Sequence, residues 1–346
     1  MHLILKIYAA ASRLNGKSLA VSAFVFFLFS SCMIRILEPA KFESVFQGFW
    51  WTVVTASTVG YGDYYPETVP GMLLGVFVIF TGLFLIGAIV GRITEQILKL
   101  KRSKGEGRLP YAKEDHYVLI GWSEEKSRAT VEELLQSDPS RDVVLIDRLA
   151  HAPFSHDRFH YVQGDPTMFE TLAKARVERS RNVIIFAPVG ETDPLKADGQ
   201  TLIIATSIEH YGRSANAAGR DIYTIVEIVK AAHEQNFAYA NVDEFILSQQ
   251  STSHMMAKSS LHKGSSQLFM QLLSDSYGED LREIAPREHW RTYGEAYEEL
   301  KQEGANLIAD RKDLGIIRKL DEPLPKEARL FIICDDSTYA RIRDDK

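Results

Sequence analysis

Two long runs of uncharged, mostly apolar residues restrict the fold of this chain more than any other feature of its sequence. Residues 18–34 carry no charged side chain over 17 positions, and residues 68–91 carry none over 24. A helix needs about 17–25 predominantly apolar residues to cross the roughly 30 Å hydrocarbon core of a bilayer. We therefore predict two membrane-spanning helices, over about residues 18–37 and 69–92, with Arg35 reaching the interface from the end of the first.

Positive charge flanks both predicted spans and predicts their orientation. The basic residues before the first span and after the second are Lys6, Arg13, Lys17, Arg92, Lys99, Lys101, Arg102 and Lys104. Because cytoplasmic flanks are enriched in Lys and Arg, both ends of this segment are predicted to face the cytoplasm. A cleaved signal peptide is disfavoured, since the first run is longer than a typical apolar region of about 7–15 residues and a second run follows.

The segment between the spans combines a short apolar helix with a glycine-containing loop. Residues 43–56 are aromatic-rich but too short to cross a bilayer, and residues 58–63 read T-V-G-Y-G-D. Irregular backbone at membrane depth is tolerated only where it is buried in protein or lines a water-filled cavity. Gly60 and Gly62 lack a Cβ and can adopt left-handed dihedrals at alternate positions, which lets successive carbonyls point the same way. Such carbonyls can replace the water shell of a cation.

This loop and its flanking helices resemble the pore of two-helix potassium channels, over residues 17–98. Residues 58–62 match the selectivity-filter pattern of that family in full. The resemblance implies that K⁺ is bound by the carbonyl oxygens of four residues and the hydroxyl of the first, namely Thr58, Val59, Gly60 and Tyr61. It also implies that Asp63 and a pore-helix tryptophan, Trp51 beside Trp50, support the filter. Four copies of Thr58–Gly62 around one axis imply a homotetramer.

The resemblance also assigns positions on the second span. Gly82 falls at the gating hinge of the family, and Gly87 lies near the inner mouth, where a missing Cβ would keep the open pore wide. Small residues also serve close packing of membrane helices, and that interpretation stays open for most glycines of this helix. Val54 replaces a buried glutamate that some members pair with Asp63. No arginine-rich helix precedes the pore, so steep voltage gating is not expected.

The rest of the chain is acidic and has an ordinary globular composition. Residues 1–105 hold 10 Lys and Arg against 5 Asp and Glu, whereas residues 106–346 hold 30 against 41. The larger part would therefore repel phosphate, and nucleic acid is not predicted as a partner.

Short apolar runs alternate with helix-like segments after residue 115. The six runs are residues 116–121, 143–146, 159–162, 183–186, 223–226 and 244–247. This alternation predicts a parallel, doubly wound α/β sheet. The predicted organisation is a pore domain over residues 1–98, a charged linker over 99–114, a Rossmann-like lobe over 115–250, crossover helices over 251–279, and a smaller α+β lobe over 280–346.

The turn after the first strand keeps only part of a dinucleotide-binding pattern. Gly121 is present, but Ser123 stands where a second glycine is usual, and Glu124 and Glu125 follow. These side chains disfavour a pyrophosphate through bulk and charge. Asp147 lies 26 residues after Gly121, where a ribose-binding acid would lie. A nucleotide or a small anion stays open, whereas no substrate-polarising residue is identifiable and the chain is not predicted to be an enzyme.

A pore followed by such a lobe resembles the RCK family, regulators of K⁺ conductance. G-W-S-E at residues 121–124 and G-D-P-T at residues 164–167 are similar to that family. The resemblance implies a ring of eight RCK domains, for which additional RCK subunits would be needed, and a ligand that expands the ring and pulls the pore helices open.

The identity of the ligand stays open. The acids of calcium-gated relatives correspond to Phe186, Glu227 and Val229 here. One carboxylate is far short of the 6–8 oxygens that Ca²⁺ prefers. Another divalent-cation site could involve the loop acids Glu191, Asp193 and Asp198. The candidate ligand residues are Gly121, Ser123, Asp147, Asp165 and Glu227.

These features predict a K⁺-selective channel in the plasma or inner membrane, surrounded by lipid and gated by a nucleotide or divalent cation at a cytoplasmic RCK domain. The alternative is a membrane-anchored, nucleotide-binding regulatory or accessory subunit of a K⁺ transport system. Such a subunit would be expected to carry filter defects, and residues 58–63 show none. A membrane-anchored enzyme would not need those residues at all.

Overall fold

The computed structural model describes residues 16–215, 222–274 and 278–344. The chain divides into two compact units, Met1–Ser103 and Lys104–Lys346. Lys6 and Arg13, which contribute to the predicted orientation, lie outside the described residues.

The described residues of the first unit form three helices, as predicted. They are α1 (Gly16–Leu37), α2 (Val45–Ala56) and α3 (Val69–Gly105). The helices at Lys17–Leu37 and Val69–Gly105 are both long and apolar enough to cross a membrane. The shorter α2 begins with a capping box, in which Ser44 accepts from the Gln47 N–H and the Gln47 side chain accepts from the Ser44 N–H, each at 3.2 Å.

α3 is longer than its membrane-spanning part. Its 37 residues extend about 55 Å at 1.5 Å per residue, well beyond the roughly 30 Å of hydrocarbon. The basic segment stays helical partly because Glu95 pairs with Arg92 at 2.8 Å and with Lys99 at 2.6 Å along the helix. The linker predicted for residues 99–114 is therefore helical as far as Gly105.

Glu38, which directly follows α1, holds the start of α3. The residue is only 6% exposed, and its carboxylate accepts from the Glu67 N–H at 2.9 Å, the Thr68 N–H at 2.8 Å and the Thr68 hydroxyl at 2.9 Å. N–H groups at a helix start lack intrahelical partners, and a negative charge there is favoured by the helix dipole. Burial by itself raises the pKa of Glu38, but the bonds from Thr68 and Glu67 together outweigh it and hold the pKa below its ordinary value.

The second unit contains a six-stranded parallel sheet of order β3-β2-β1-β4-β5-β6. This confirms the predicted doubly wound lobe, whose strand order is typical of dinucleotide-binding folds. The strands are β1 (Tyr117–Ile120), β2 (Val143–Asp147), β3 (Phe159–Gln163), β4 (Asn182–Ile185), β5 (Tyr223–Ile228) and β6 (Glu244–Leu247).

Helices cover both faces of this sheet. They are α4 (Lys126–Ser137), α5 (Phe169–Lys174), α6 (Pro194–Ala215) and α7 (Glu234–Ala238). Successive side chains of a strand point to opposite faces. In β1, Val118 and Ile120 accordingly belong to one buried core cluster, whereas Tyr117 and Leu119 belong to another.

Two helices lead into the smaller lobe, which is α+β as predicted. α8 (Ser248–Leu261) and α9 (Ser265–Leu272) contain no buried residue within their described length. An antiparallel sheet of order β7-β9-β8 follows. Its strands and the helices packed with them are β7 (Glu279–Ile284), α10 (Tyr293–Glu303), β8 (Asn306–Asp310), β9 (Leu330–Asp335) and α11 (Asp336–Asp344).

Acid is expected to destabilise the first unit through Glu38. Because the folded-state pKa lies below the unfolded value, the ionised carboxylate contributes stability that is complete above the unfolded pKa and is lost as the pH falls through the folded pKa. Between about pH 6 and pH 3, the melting temperature of the detergent-solubilised protein should therefore fall further for wild type than for Glu38→Gln. Equal losses in the two proteins would contradict this role for Glu38.

Candidate ion pathway and ligand cleft

The loop at residues 58–63 follows the end of α2 and alternates in backbone conformation. Thr58, Gly60 and Gly62 have φ angles of +62°, +61° and +77°, so every second residue is left-handed. The two glycines adopt this conformation without a Cβ penalty, as the sequence predicted. Thr58 adds a third position that the glycine pattern did not indicate, at a cost of about 1–2 kcal/mol for a residue with a side chain.

The amides of this loop are hydrogen-bonded to the last turn of α2. The Thr58 N–H donates to the Thr55 carbonyl at 3.1 Å, and the N–H groups of Val59 and Gly60 donate to the Val54 carbonyl at 3.1 and 3.3 Å. The carbonyl oxygens of the loop are thereby the groups that can bind a cation. The C-terminal end of a helix carries partial negative charge, which also favours a cation nearby.

Of the two tryptophans expected to support this loop, Trp50 is the one that is hydrogen-bonded to Asp63 within the chain. The Trp50 indole N–H donates to Asp63 Oδ2 at 2.7 Å, and its ring stacks on that of Tyr61, with centroids 6.0 Å apart and planes 5° apart. Trp51 is buried and packs edge-on against Phe42. Since neighbouring helical residues point about 100° apart, only one of the two tryptophans can face the loop.

Asp63 is held without a second carboxyl group. Its Oδ1 accepts from the Tyr64 N–H at 3.0 Å, while Oδ2 is held by Trp50. Val54, which stands where some potassium channels carry a glutamate, is buried. An indole N–H and a backbone N–H therefore fix the carboxylate in this chain.

The two glycines assigned to gating lie in different surroundings. A Cβ on Gly82 would come within 2.5 Å of the Cβ of Ala56, the last residue of α2. A Cβ on Gly87 would meet nothing within 4 Å in the chain. Gly82 is therefore a site of close helix contact, whereas Gly87 is open.

In the second unit, a cavity of about 530 Å³ opens at the carboxyl end of the parallel sheet. Ligands of open α/β sheets bind at this edge, where the strand order reverses. Gly121, Asp147 and Asp165 line the cavity, as does Arg148, which the sequence did not single out. The other two candidate residues, Ser123 and Glu227, are not part of its lining.

The two carboxylates in this cleft are held in place by hydrogen bonds. Asp147 accepts from the Trp122 N–H at 2.7 Å and the Arg148 N–H at 2.6 Å. Asp165 accepts from the N–H and hydroxyl of Thr167 and from Arg148 Nη2, the last at 2.6 Å. The Thr167 N–H is the main reason that the pKa of Asp165 lies below its ordinary value. The cleft therefore offers fixed carboxylate acceptors beside one exposed guanidinium.

Ser123 occupies the helix start that a pyrophosphate would need. Its Oγ accepts from the N–H groups of Lys126 and Ser127 at 2.9 and 3.0 Å. In dinucleotide-binding folds such N–H groups face the phosphates. Together with Glu124 and Glu125, Ser123 leaves the start of α4 poorly suited to a pyrophosphate.

Glu227 is used in a structural ion pair. The residue is 7% exposed, and its carboxylate accepts from Lys126 Nζ at 2.5 Å and from the Ala187 N–H at 3.0 Å. It thus joins β5 to α4 and to the residues after β4. The pairing with Lys126 spans 101 positions in sequence, so no local pattern could have indicated it.

The loop acids Glu191, Asp193 and Asp198 do not form a metal-binding cluster among the described residues. Asp198 is buried and accepts from the N–H groups of Val229 and Lys230 at 2.8 and 3.1 Å. Its Oδ2 also lies 2.7 Å from His233 Nδ1. Across residues 16–215, 222–274 and 278–344, no group of three or more His, Cys, Asp or Glu side chains is placed to hold a metal ion.

Comparison with known proteins gives two family matches. Residues 19–99 match the family described as "Ion channel", and residues 113–226 match the "Calcium-activated potassium channel slowpoke-like RCK domain". The chain is 34% identical over 215 residues to the "Putative potassium channel protein YugO" of Bacillus subtilis, covering 62% of each protein. The match therefore spans less than two thirds of that relative's length.

Two more distant similarities cover more of the chain. It is 21% identical to the "Calcium-gated potassium channel TvoK" of Thermoplasma volcanium, over 70% of this chain and 67% of that protein. Among solved structures, "GsuK channel bound to NAD" is 16% identical with a TM-score of 0.46, over 92% of this chain and 57% of that one.

Replacing Lys126, whose ammonium group pairs with Glu227, is expected to destabilise the second unit. Lys126→Met would leave a buried carboxylate without its partner, which costs about 1–3 kcal/mol where the lost partner is itself half exposed. The double variant, which carries Glu227→Gln as well as Lys126→Met, should recover most of this lost stability, because the glutamine amide carries no charge. The melting temperatures of wild type, the single variant and the double variant measure the effect. A double variant as unstable as Lys126→Met alone would contradict it.

Proposed function

We propose that this chain, which combines an ion-channel pore domain with an RCK domain, is a K⁺-selective channel gated by a ligand at the RCK domain. The observation that carries this proposal is the backbone of residues 58–62, which is left-handed at alternate positions and is bonded through the amides of residues 58–60 to the end of α2. A loop of this kind offers a row of carbonyl oxygens in place of the water around a K⁺ ion.

The ion would be bound by four chains together. One chain supplies oxygens on one side of the ion only, so the proposed assembly is a homotetramer with K⁺ held by residues 58–61. Tyr61 is 69% exposed in the single chain, which leaves its ring available to a neighbouring copy. The apolar, exposed side chains of α1 and α3 would face lipid or other copies in the plasma or inner membrane.

The part of α3 after its membrane-spanning segment bears on two points: the side of the membrane on which the RCK domain lies, and the way in which the RCK domain acts on the pore. The basic residues after the second span favour a cytoplasmic RCK domain and cytoplasmic termini. Because α3 continues as helix to Gly105, a displacement of the RCK domain would reach the membrane-spanning part through a continuous helix. The exposed apolar side chains of α8 and α9, Met256 and Leu261 among them, would pair RCK domains in a ring completed by additional RCK subunits.

We assign ligand binding to the cleft at the carboxyl end of the parallel sheet. Asp147 and Asp165 are positioned acceptors for ribose hydroxyls, and the guanidinium of Arg148 can bind a single phosphate. A nucleoside or mononucleotide therefore fits better than a dinucleotide. TvoK is described as calcium-gated, but here Glu227 is bound to Lys126, so the cleft is favoured over a calcium site at that residue.

Replacing Gly62 by alanine is expected to abolish K⁺ flux into liposomes that contain the purified protein. Gly62 has a φ of +77°, and a Cβ in this conformation costs about 1–2 kcal/mol in each of four chains. Gly190→Ala is the matched control, since Gly190 has a φ of +83° and an equally open Cβ position in the second unit. Normal flux in Gly62→Ala, or equal loss in both variants, would contradict the filter assignment.

Ligand dependence is tested by the same flux assay with adenosine, AMP, ADP, NAD, Ca²⁺, Mg²⁺ and Na⁺. We expect a mononucleotide or nucleoside to change the flux, and the change to weaken about tenfold or more in Asp165→Asn, which loses a charge-assisted contact. Glu227→Gln should respond as wild type does. A response to Ca²⁺ alone that is lost in Glu227→Gln would place the ligand site elsewhere.

A further inference from the structure

Gly82 lies in direct contact with the end of α2. A Cβ on Gly82 would be 2.5 Å from the Ala56 Cβ and 2.7 Å from the Ala56 Cα. Carbon atoms attract at about 3.5–4.0 Å and repel at much shorter distances. Both residues are buried, with Ala56 only 2% exposed. No side chain larger than hydrogen fits at position 82 unless one of the two helices moves.

The other glycines of α3 do not contact Ala56. A Cβ on Gly75 would have ordinary contacts at 3.8 Å, and a Cβ on Gly87 or Gly91 would meet nothing within 4 Å. Gly71 is also closely approached, but by the side chains of Glu38 and Pro66, so the close approach to Ala56 belongs to the level of Gly82.

Ala56 lies in the helical turn that holds the filter. The carbonyl of Thr55, the residue before it, accepts from Thr58, and the carbonyl of Val54 accepts from both Val59 and Gly60. A shift of Ala56 would therefore move the two carbonyls that fix the backbone of the filter. The path from Gly82 to the filter consists of one van der Waals contact and these three hydrogen bonds.

We propose that the contact between Gly82 and Ala56 transmits displacement of α3 to the selectivity filter, so that Gly82 is a positioning residue for the filter. This inference rests on the proposed function, because it assumes that residues 58–62 conduct K⁺. It differs from the role of a flexible hinge. A hinge needs glycine for its backbone freedom, whereas a contact needs glycine because a Cβ would overlap atoms of Ala56, the nearest of which is the Ala56 Cβ.

The two roles make different predictions for a double substitution. Both predict that Gly82→Ala impairs K⁺ flux, the hinge because alanine stiffens the helix and the contact because the new methyl group overlaps Ala56. Only the contact predicts that Ala56→Gly, which removes the nearer overlapping atom and leaves the Ala56 Cα at 2.7 Å, partly restores the Gly82→Ala protein. Gly91→Ala is the control, since it removes a glycine from the same helix at an open position.

The experiment measures K⁺ flux and K⁺-over-Na⁺ preference in liposomes for wild type, Gly82→Ala, Ala56→Gly, the double variant and Gly91→Ala. We expect Gly82→Ala to lose about tenfold or more in flux, the double variant to regain a measurable part of it, and Gly91→Ala to behave as wild type. If Gly82→Ala does not assemble, recovered assembly of the double variant reports the same contact. A double variant as impaired as Gly82→Ala would overturn the inference and leave the hinge.

Failure of the proposed function is recognised separately. A wild-type protein that passes no K⁺ refutes the channel, and with it the transmission to a conducting filter. The melting temperatures of the same proteins then show whether the contact exists on its own: a loss in Gly82→Ala that Ala56→Gly reverses demonstrates it, and additive losses exclude it.

Discussion

The hydrogen bonds from the amides of residues 58–60 to the last turn of α2 are the interactions on which the proposed filter depends. Five consecutive residues cannot hold their carbonyl oxygens towards one axis unless alternate residues take left-handed dihedrals and their N–H groups find partners elsewhere. Thr58, Gly60 and Gly62 supply the dihedrals, and the carbonyls of Thr55 and Val54 accept the amides. Trp50 then fixes Asp63 at the outer end.

The second unit uses its polar groups in a comparable way. Side chains at the carboxyl edge of the sheet satisfy backbone amides and one another, as Ser123 does at the start of α4 and Glu227 does with Lys126. The charged side chains that line the cleft are Asp147, Asp165 and Arg148. This set is suited to hydroxyl groups and a single phosphate, which distinguishes the cleft from that of a hydride-transferring enzyme with a glycine-rich turn.

The sequence predicted the features that are encoded locally. Hydropathy located both long apolar helices, alternating apolar runs located all six strands of the parallel sheet, and Gly60 and Gly62 predicted two left-handed positions. It could not choose between Trp50 and Trp51, because the rotation of α2 is decided by the packing of Trp51 on Phe42. The Lys126–Glu227 pair and the contact of Gly82 with Ala56 join residues far apart in the chain, so they require the folded structure.

Selective binding of K⁺ by backbone carbonyls is tested most directly by a reversal potential. It is measured for the purified protein in a planar bilayer with K⁺ on one side and Na⁺ on the other. If backbone carbonyls of residues 58–61 replace the water of K⁺ and not that of Na⁺, the reversal potential lies far towards the value of a membrane permeable to K⁺ alone. A reversal potential near zero means that the two ions pass equally well, and it would contradict selective binding of K⁺ by these carbonyls.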